Sequence, residues 1–382
     1  MSSEADELVP ALDGLRGFAV VLVLLFHGIG GTMQPLYEPH RYIWSGLASL
    51  VLKITEPLSG GVEIFFVLSG YLITRSLMKS SKLDGIAIRN FYLRRWARIA
   101  PLYWLVLLIL LICGYPLFFL SLSALFIMNF APLLSVNSDW LPIWSISVEV
   151  QFYILWPLLL HLLGPRHLIK LCLLVILISP VLRAVGIAHD LDTYSITFFR
   201  LDGLALGSAF ALFVSGMDRQ NLHLMEVVRK IFWICLTAFL FIIVFFSDLL
   251  DRQTLGGRIF SYEVWQVFAL ALIGFSLDPS RGFLWLNWRA LRKTGEWSYG
   301  IFLFHPMLFY AFGLGLKKWH PLTDPRAQLW FVFAQAALIY VLTFILARFS
   351  YVYFERPVYR LFSGKFRESS PVRSKLNGTQ RH

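Results

Sequence analysis

Apolar runs close to the length of a membrane span recur along almost the whole chain, separated by short charged loops. The 382 residues are 57% hydrophobic and only 15% charged, far below the charge of a soluble globular protein. A run of about 20 apolar residues crosses the hydrocarbon core as an α-helix, because a helix satisfies its own backbone hydrogen bonds. The pattern predicts an all-α polytopic membrane protein and excludes a soluble domain.

The apolar runs predict about ten transmembrane helices. Two further stretches are too short to cross: we expect 117–130 to be a re-entrant or surface helix and 43–52 to lie at the interface. The chain then divides into an N-terminal segment 1–13, a transmembrane domain 14–350 and a tail 351–382. The predicted spans are roughly 14–32, 60–78, 99–115, 142–163, 168–186, 195–214, 231–247, 259–277, 298–315 and 328–350.

Lys and Arg residues are distributed unequally between the two sets of alternate loops. The loops that follow even-numbered spans, together with the tail, contain 22 of them, whereas the other loops contain 7. Because cytoplasmic loops are enriched in Lys and Arg, this bias predicts that both termini are cytoplasmic. It also explains the formal net charge of +11 as membrane orientation rather than nucleic-acid binding.

The three cysteines, Cys113, Cys172 and Cys235, each lie within an apolar run. Such positions are typical of small buried side chains, and their spacing matches neither a disulfide framework nor a metal site. We therefore expect no bound metal.

Arg16 and His27 lie eleven residues apart in the first span. Eleven residues make about three helical turns and rise about 16 Å, so both side chains are expected on one face at different depths. Because polar residues are costly inside a membrane, the pair suggests an anion site near one surface and proton chemistry deeper. Structural interpretations also remain open: His27 as a helix-packing residue and Arg16 as the partner of Asp13.

Three arginines, Arg94, Arg95 and Arg98, lie just before the third span with aromatic residues between them. Such a cluster suits a phosphate-rich cofactor, because guanidinium groups bind phosphate through paired hydrogen bonds. It equally suits a juxtamembrane patch attracted to anionic lipid. Charge alone does not choose between these two interpretations.

Two carboxylates, Glu63 and Glu149, are predicted near the outer ends of spans 2 and 4. A carboxylate at this depth needs a partner or water. Each is therefore a candidate catalytic residue and equally a candidate for a structural pair with Arg or His. Glu63 is expected within possible reach of His27, since both lie one to two turns from the outer surface.

Further candidates for an acceptor site lie in the second half of the chain and around span 4. Arg200 and Asp202 enter span 6 from outside, and His305 precedes a proline within span 9. Ion pairing with neighbouring spans and helix kinking are the structural alternatives. Trp140 and Trp144 offer aromatic faces that suit sugar rings as well as a membrane-interface belt.

Seven short motifs follow one another along nearly the whole chain: ALDGLRGFAVVLVLLFH, GGVEIFFVLSGYLI, FYLRRWARIAP, WSISVEVQFYILWP, FRLDGLALG, SYGIFLFHPM and YVYFERPVY. Each motif is weak alone, but the ordered set resembles the acyltransferase-3 family of integral membrane acyltransferases. The resemblance implies transfer of an acyl group, commonly acetyl, from cytoplasmic acyl-CoA. The implied acceptors are hydroxyls of sugars in envelope or exported glycans, of lipid-linked sugars or of small secondary metabolites.

The family's Arg-x10-His motif falls on Arg16 and His27, and its R-x-x-R motif falls on Arg95 and Arg98. The resemblance implies that these arginines and Arg94 bind the phosphates of acetyl-CoA or another acyl-CoA. The rise of about 16 Å to His27 is comparable to an extended pantetheine arm. His27 is then the expected general base on the acceptor hydroxyl, with Glu63 or Glu149 orienting its imidazole.

One position departs from the family pattern. The family usually has two adjacent acids in its W-S-x-S-V-E-E-Q-F-Y segment, whereas here the second acid is replaced by Val150. This leaves Glu149 as the single acid of the segment, which does not support a two-carboxylate role there.

These observations predict a membrane O-acyltransferase of the bacterial inner membrane that acts on a glycan, glycolipid or glycosylated metabolite. The competing class is a proton-coupled exporter or flippase, which would also use intramembrane Arg, His and Glu residues. The spacing of Arg16 and His27 together with the cytoplasmic arginines favours the enzyme, because a transporter does not require it.

Overall fold

The computed structural model describes residues 10–30, 51, 54–79, 83–134, 143–216, 222–252, 254–277, 284–317 and 325–368. Regular secondary structure within these ranges is entirely helical, which confirms the predicted all-α class. The predicted interfacial segment 43–52 lies outside the described residues apart from Val51.

We number the described α-helices in chain order. They are α1 Pro10–Leu25, α2 Gly61–Met78, α3 Gly85–Ile112, α4 Leu117–Ala124, α5 Ile143–Ala188, α6 Leu201–Ser215, α7 Leu222–Phe245, α8 Leu255–Ser276, α9 Arg289–Glu296, α10 Ser298–Lys317, α11 Pro325–Ser350 and α12 Arg356–Glu368. A π-helical turn, Phe26–Gly30, extends α1, and a second, Tyr351–Glu355, joins α11 to α12. The first part of the predicted tail 351–382 is therefore helical.

Several of these helices are long and apolar enough to cross a membrane, as expected of an integral membrane protein. Among the described residues, six segments meet this condition by length and composition, whereas the apolar helices Leu201–Ser215 and Ser298–Phe312 are shorter. The predicted number of about ten spans is therefore not confirmed. The six segments are Pro10–Ile29, Glu56–Met78, Gly85–Ile112, Ile143–Ala188, Leu255–Ser276 and Phe333–Phe362.

Helix α5 contains both of the spans predicted at 142–163 and 168–186. A straight helix of its 46 residues would extend about 69 Å, more than twice the thickness of the hydrocarbon core. It is interrupted at Gly164, where φ is 70° and ψ is 166°. Only glycine adopts a positive φ at little cost, so this residue allows α5 to change direction without a loop.

The segment 79–98, predicted as a loop, is helical from Gly85 onward. The Asp84 carboxylate accepts a hydrogen bond from the Ala87 amide at 2.8 Å and caps the first turn of α3. The 28 residues of α3 extend about 42 Å, which exceeds the hydrocarbon core. The arginine cluster therefore lies on the first turns of a long helix, where helical spacing decides which side each guanidinium faces.

Helices α2 and α6 touch through their backbones. A Cβ atom on Gly70 would lie 2.1 Å from the Leu204 carbonyl oxygen, and one on Gly207 would lie 1.9 Å from the Val67 carbonyl oxygen. Small residues allow this close approach, which is a common device of helix packing in membranes. The contact brings the polar residues of the two helices within reach of one another.

The segment 117–130 forms the short helix α4 and part of a 3₁₀ turn, Met128–Leu134. The 8 residues of α4 extend about 12 Å, well short of a membrane crossing. No helix of membrane-spanning length forms in this segment, and its placement as a re-entrant or surface helix stays a prediction.

Candidate active site

Residues of α1, α2, α3, α5 and α10 line a cavity that is open to solvent. Val62 and Leu72, ten residues apart on α2, both line it, so it extends about 15 Å along that helix. The rest of the lining combines apolar side chains with a smaller polar set. The charged and hydroxyl-bearing residues are Arg16, Ser69, Arg95, Arg98, Ser145, Glu149, Tyr153, Ser298 and Tyr299.

Three arginines line one end of this cavity. Arg16 pairs with Asp13 at 3.2 Å between Nη1 and Oδ1, as the structural interpretation predicted, and it still faces the cavity. The guanidinium of Arg95 lies over the ring of Tyr153, 5.2 Å from its centroid. Arg98 is exposed one turn along α3. This end of the cavity is accessible and strongly cationic, and it suits a polyanionic ligand.

Arg94 does not belong to the cavity. It is exposed on α3 and is absent from the cavity lining, whereas Arg95 and Arg98 both contribute to it. Successive residues of a helix point about 100° apart, so Arg94 faces a different side from its neighbour. The structure therefore separates a cluster that the sequence grouped together, and it gives no support for Arg94 as a cofactor ligand.

Glu149 faces the same cavity as the arginines. Its carboxylate oxygen Oε1 accepts hydrogen bonds from the hydroxyls of Ser69 and Tyr153. Glu149 was predicted near the outer end of its span, but it lies close to the cationic end of the cavity, because Tyr153, which donates a hydrogen bond to it, also lies under the Arg95 guanidinium. The cavity lining thus contains three cations and one anion, a formal charge of +2.

His27 lies in the π-helical turn after α1 and packs against His305 of α10. The two ring centroids are 5.1 Å apart. The Nδ1 atom of His27 lies 3.0 Å from the Val23 carbonyl oxygen, and that of His305 lies 2.9 Å from the Ile301 carbonyl oxygen. Because a carbonyl oxygen only accepts, both Nδ1 atoms carry the proton, and in the neutral rings both Nε2 atoms present a lone pair.

The two histidines lie behind one aromatic layer of the cavity wall. Phe302 lines the cavity, and its ring centroid is 5.9 Å from that of His305. Phe65 lines it beside Phe302, with a centroid distance of 6.4 Å. Neither histidine belongs to the cavity lining, and the contact between Phe302 and His305 connects the lining to the histidine pair.

Glu63 is held by a partner other than His27. Its carboxylate forms a buried ion pair with Arg200 and accepts a hydrogen bond from Gln266 Nε2 at 3.0 Å. The interpretation that Glu63 orients His27 is not supported by any contact among the described residues. The contacts of Glu63 instead match the alternative interpretation, a structural ion pair with an arginine of a neighbouring helix.

Asp202 is likewise engaged inside the protein. Its Oδ2 atom lies 2.7 Å from Nη1 of Arg183, which also pairs with Glu263. The Arg183 guanidinium donates further hydrogen bonds to two backbone carbonyl oxygens, at 2.7 and 2.8 Å. Arg200 and Asp202 were candidates for the acceptor site, but both are buried in ion pairs.

Trp144, one of the two tryptophan candidates, lies inside the protein. Trp144 is buried, with its ring centroid 4.8 Å from that of Tyr194 and 5.4 Å from the guanidinium carbon of Arg200. It therefore packs around the buried ion pair and offers no open face for a sugar. Trp140 lies outside the described residues.

Most of the cavity residues were not identified from the sequence, among them Ser69, Tyr153, Tyr299 and Phe302. One of them had a readable signal, since Tyr153 follows Glu149 by one helical turn and such pairs meet on a helix surface. The others face the cavity only because of how the helices pack. Among the described residues, no group of three His, Cys, Asp or Glu side chains is arranged to hold a metal ion.

The model of the family described as "Acyltransferase domain" matches residues 9–350. YrhL of Bacillus subtilis (strain 168) is 28% identical over 391 residues, which cover 92% of this chain and 55% of that relative. The peptidoglycan O-acetyltransferase OatA of Listeria monocytogenes serovar 1/2a is 26% identical over 385 residues, covering 92% and 56%. The O-acetyltransferase OatA of Staphylococcus aureus (strain NCTC 8325 / PS 47) is also 26% identical, covering 92% and 57%. This chain spans little more than half the length of these curated relatives, and no solved structure matches it.

Proposed function

This chain belongs to the acyltransferase family whose model matches residues 9–350, and on that premise we propose that it is a membrane O-acyltransferase. The proposed donor is acetyl-CoA or another acyl-CoA that enters from the cytoplasm. The proposed acceptor is a hydroxyl of a sugar in an envelope or exported glycan, a glycolipid or a glycosylated metabolite. The names of the relatives favour an acetyl group and a cell-wall glycan.

The observation that carries this proposal is the cavity with Arg16, Arg95 and Arg98 at one end and the two histidines behind the aromatic wall. Coenzyme A bears several phosphate charges on its nucleotide and a long uncharged arm that ends in the thioester. Guanidinium groups bind such phosphates through paired hydrogen bonds. The cavity extends about 15 Å along α2, so it can hold the arm while the nucleotide stays among the arginines.

His27 has the tautomer that general-base catalysis requires. Its Nδ1–H donates to the Val23 carbonyl oxygen, which leaves Nε2 to take the proton of the acceptor hydroxyl. The hydroxyl oxygen forms a bond to the thioester carbonyl carbon as its O–H bond breaks. The carbon–sulfur bond then breaks, and the departing thiolate takes the proton from His27 to become the thiol.

Glu149 belongs to the donor site in this scheme. Its carboxylate lies in the arginine-lined cavity between the hydroxyls of Ser69 and Tyr153. The pantetheine arm of acyl-CoA carries amide N–H groups, and a carboxylate is a strong acceptor for them. We therefore assign Glu149 to binding of the donor arm rather than to orientation of His27.

The test uses the purified protein in lipid nanodiscs with acetyl-CoA and a peptidoglycan oligosaccharide. We expect acceptor-dependent release of CoA and an acetylated product by mass spectrometry. His27→Ala should lower the single-turnover rate by about 10²–10⁴-fold with acetyl-CoA affinity unchanged, because only the base is lost. Arg94→Ala, outside the cavity, is the matched control. Wild-type protein that binds no acetyl-CoA, or His27→Ala protein with normal turnover, would contradict the proposal.

A further inference from the structure

We propose that Tyr340 of α11 is a positioning residue for His27: its hydroxyl holds the π-helical turn Phe26–Gly30 in the shape that orients the His27 imidazole. This inference rests on the proposed function, because it concerns the orientation of the proposed base. Tyr340 lies outside the seven sequence motifs, and no spacing along the chain relates it to His27.

The hydroxyl of Tyr340 bonds to the backbone just before this turn. It donates a hydrogen bond to the Leu24 carbonyl oxygen at 2.9 Å, and the two residues are 316 positions apart. Helix α1 ends one residue later, at Leu25, and the π-helical turn begins at Phe26. The backbone hydrogen bonds change there from i→i+4 to i→i+5 spacing. Tyr340 therefore fixes a carbonyl group at the junction of two kinds of helix, through a lone pair that a backbone bond leaves available.

The same hydroxyl contacts the backbone just after His27. A Cβ atom on Gly28 would lie 2.0 Å from the Tyr340 hydroxyl oxygen and 2.5 Å from the ring carbon that bears it. A side chain at this position would therefore displace the tyrosine ring. Tyr340 thus contacts the chain three residues before His27 and one residue after it, which leaves the backbone of His27 little room to move.

The orientation of the imidazole depends on this piece of backbone. The Nδ1 atom of His27 lies 3.0 Å from the carbonyl oxygen of Val23, the residue before Leu24. A shift of the Leu24 backbone would move the Val23 carbonyl with it. The hydrogen bond to Val23 determines which way the ring faces and which nitrogen is left to take a proton from the acceptor. The contact at Leu24 therefore acts on the base through a single residue.

Packing holds the Tyr340 ring itself in position. Its ring is inclined at 78° to that of Phe309 of α10, and the two centroids are 6.2 Å apart. The same ring packs against a buried cluster that includes Leu24, Ile301 and Ala347, which belong to α1, α10 and α11. Three helices therefore support the hydroxyl where it meets the Leu24 carbonyl, and a rigid support is what a positioning contact requires.

Tyr340→Phe removes the hydroxyl and keeps the ring, so folding is expected to be retained. We expect it to slow single-turnover transfer about tenfold, because small displacements of a reacting group are costly. The affinity for acetyl-CoA should stay at its wild-type value, since Tyr340 does not line the cavity. Gly28→Ala, which displaces the ring, should slow transfer in the same way. Tyr353→Phe, which removes an exposed hydroxyl just beyond the end of α11, is the matched control and should transfer at the wild-type rate.

A double-variant cycle separates the positioning of His27 from a general loss of structure. If Tyr340 acts through His27, Tyr340→Phe should change the rate by less than about twofold in a protein that already has His27→Ala. A tenfold loss in both backgrounds overturns the inference, because the hydroxyl would then act independently of the base. So does a Tyr340→Phe protein that transfers as fast as wild type.

A second measurement keeps the inference separate from the proposed function. In protein labelled with ¹⁵N-histidine at neutral pH, the His27 ring should be the Nδ1–H tautomer, and Tyr340→Phe should introduce a measurable share of the Nε2–H tautomer. His167, exposed on α5 with its Nδ1 atom 3.0 Å from the Leu163 carbonyl oxygen, should give the same signals in both proteins. His27 signals that Tyr340→Phe leaves unchanged overturn the inference whether or not transfer occurs. A wild-type protein that transfers no acetyl group contradicts the proposed function instead.

Discussion

Arg95 and Arg98 face the cavity from successive turns of α3, whereas Arg94 points elsewhere and is exposed. All three side chains carry a guanidinium group, and they differ only in the direction in which they point around the helix. A ligand with several phosphates would be held by the two cavity-facing guanidiniums and by Arg16. The third guanidinium remains free for contact with anionic lipid.

We predict that Arg98→Ala weakens acetyl-CoA binding, whereas Arg94→Ala leaves it within about twofold of wild type. Arg98→Lys should restore only part of the affinity, because lysine lacks the planar paired donors that match phosphate. Calorimetric titration of each variant in nanodiscs measures the effect. Equal losses in the Arg94 and Arg98 variants would show that general surface charge, and not the cavity, attracts the ligand.

Glu149 is expected to act on the arm of the donor rather than on its phosphates. Glu149→Gln should weaken acetyl-CoA about tenfold, or about 1.4 kcal/mol, since hydrogen bonds to charged groups exceed neutral ones by roughly this amount. Adenosine 3′,5′-bisphosphate, which has the phosphates but no arm, should bind equally to both proteins. An equal loss of affinity for acetyl-CoA and for adenosine 3′,5′-bisphosphate would show that the substitution acts through the arginines instead.

Val150 occupies the position at which the family usually has a second acid. Its side chain is partly buried against apolar residues of two core clusters, one helical step away from the cavity side of α5. A carboxylate at this position would meet an apolar surface and would be unfavourable there. The position that departs from the family pattern is therefore a packing position in this protein.

Glu63 and Arg200 should matter for stability more than for donor binding. Glu63→Gln leaves a buried guanidinium without its counter-ion, so we expect a loss of about 3–5 kcal/mol in the free energy of unfolding. The double variant Glu63→Leu with Arg200→Leu should be more stable than Glu63→Gln alone, because it removes both charges. Thermal unfolding in nanodiscs compares them. A Glu63→Gln protein that has wild-type stability but no longer transfers acetyl would instead support a catalytic role for Glu63.

At the scale of the elements, the site is shaped by two local departures from regular α-helical geometry. The π-helical turn Phe26–Gly30 carries His27, and such turns are frequent at functional sites because they alter the direction of side chains. Gly164 interrupts α5 and lets its two arms serve different partners. The first arm supplies Glu149 to the cavity, and the second supplies Arg183 to the buried ion pairs.

The backbone contact between α2 and α6 predicts a sharp effect of added volume. Gly70→Ala would place a Cβ atom 2.1 Å from the Leu204 carbonyl oxygen, which no rotamer change relieves. We expect a loss of about 1–3 kcal/mol, as for overpacking elsewhere. Gly85→Ala is the matched control, since nothing lies within 4 Å of its Cβ position. Equal stability of the two variants in thermal unfolding would mean that the helices are not in contact here.

At the scale of the whole molecule, the cavity combines helices from both ends of the chain. Residues 16 and 302 line it together with residues from three intervening helices. Helix α9 packs on the same end of α1, where a Cβ atom on Gly17 would lie 2.0 Å from the Leu291 carbonyl oxygen. If the arginine end is cytoplasmic, α9 is cytoplasmic as well, in agreement with the bias of Lys and Arg residues.

Orientation in the membrane can be tested by cysteine labelling. After replacement of Cys113, Cys172 and Cys235, single cysteines are introduced near Arg292 and near each terminus. We expect an impermeant reagent to label them only after the cell membrane is opened, because the surrounding Lys and Arg residues favour the cytoplasm. Labelling near Arg292 in intact cells would reverse the proposed orientation.

The sequence by itself determined the helical class and the membrane setting, and it placed Arg16, Arg95 and Arg98 among the candidate residues. These properties depend on composition and on spacing within one helix, and both can be read along the chain. It also predicted that 117–130 is too short to cross, for the same reason.

Only the tertiary structure decided which polar groups meet. Glu63 and Arg200 are 137 residues apart, and Glu149 lies in the arginine cavity because Ser69 and Tyr153 hold it there. His305 lies beside His27 because α1 and α10 pack together at that depth. Periodicity shows which face of a helix is polar, but it does not show which helix lies opposite that face. In this protein, close contacts such as the glycine-mediated packing of α2 and α6 select the neighbours and thereby the partners of each charge.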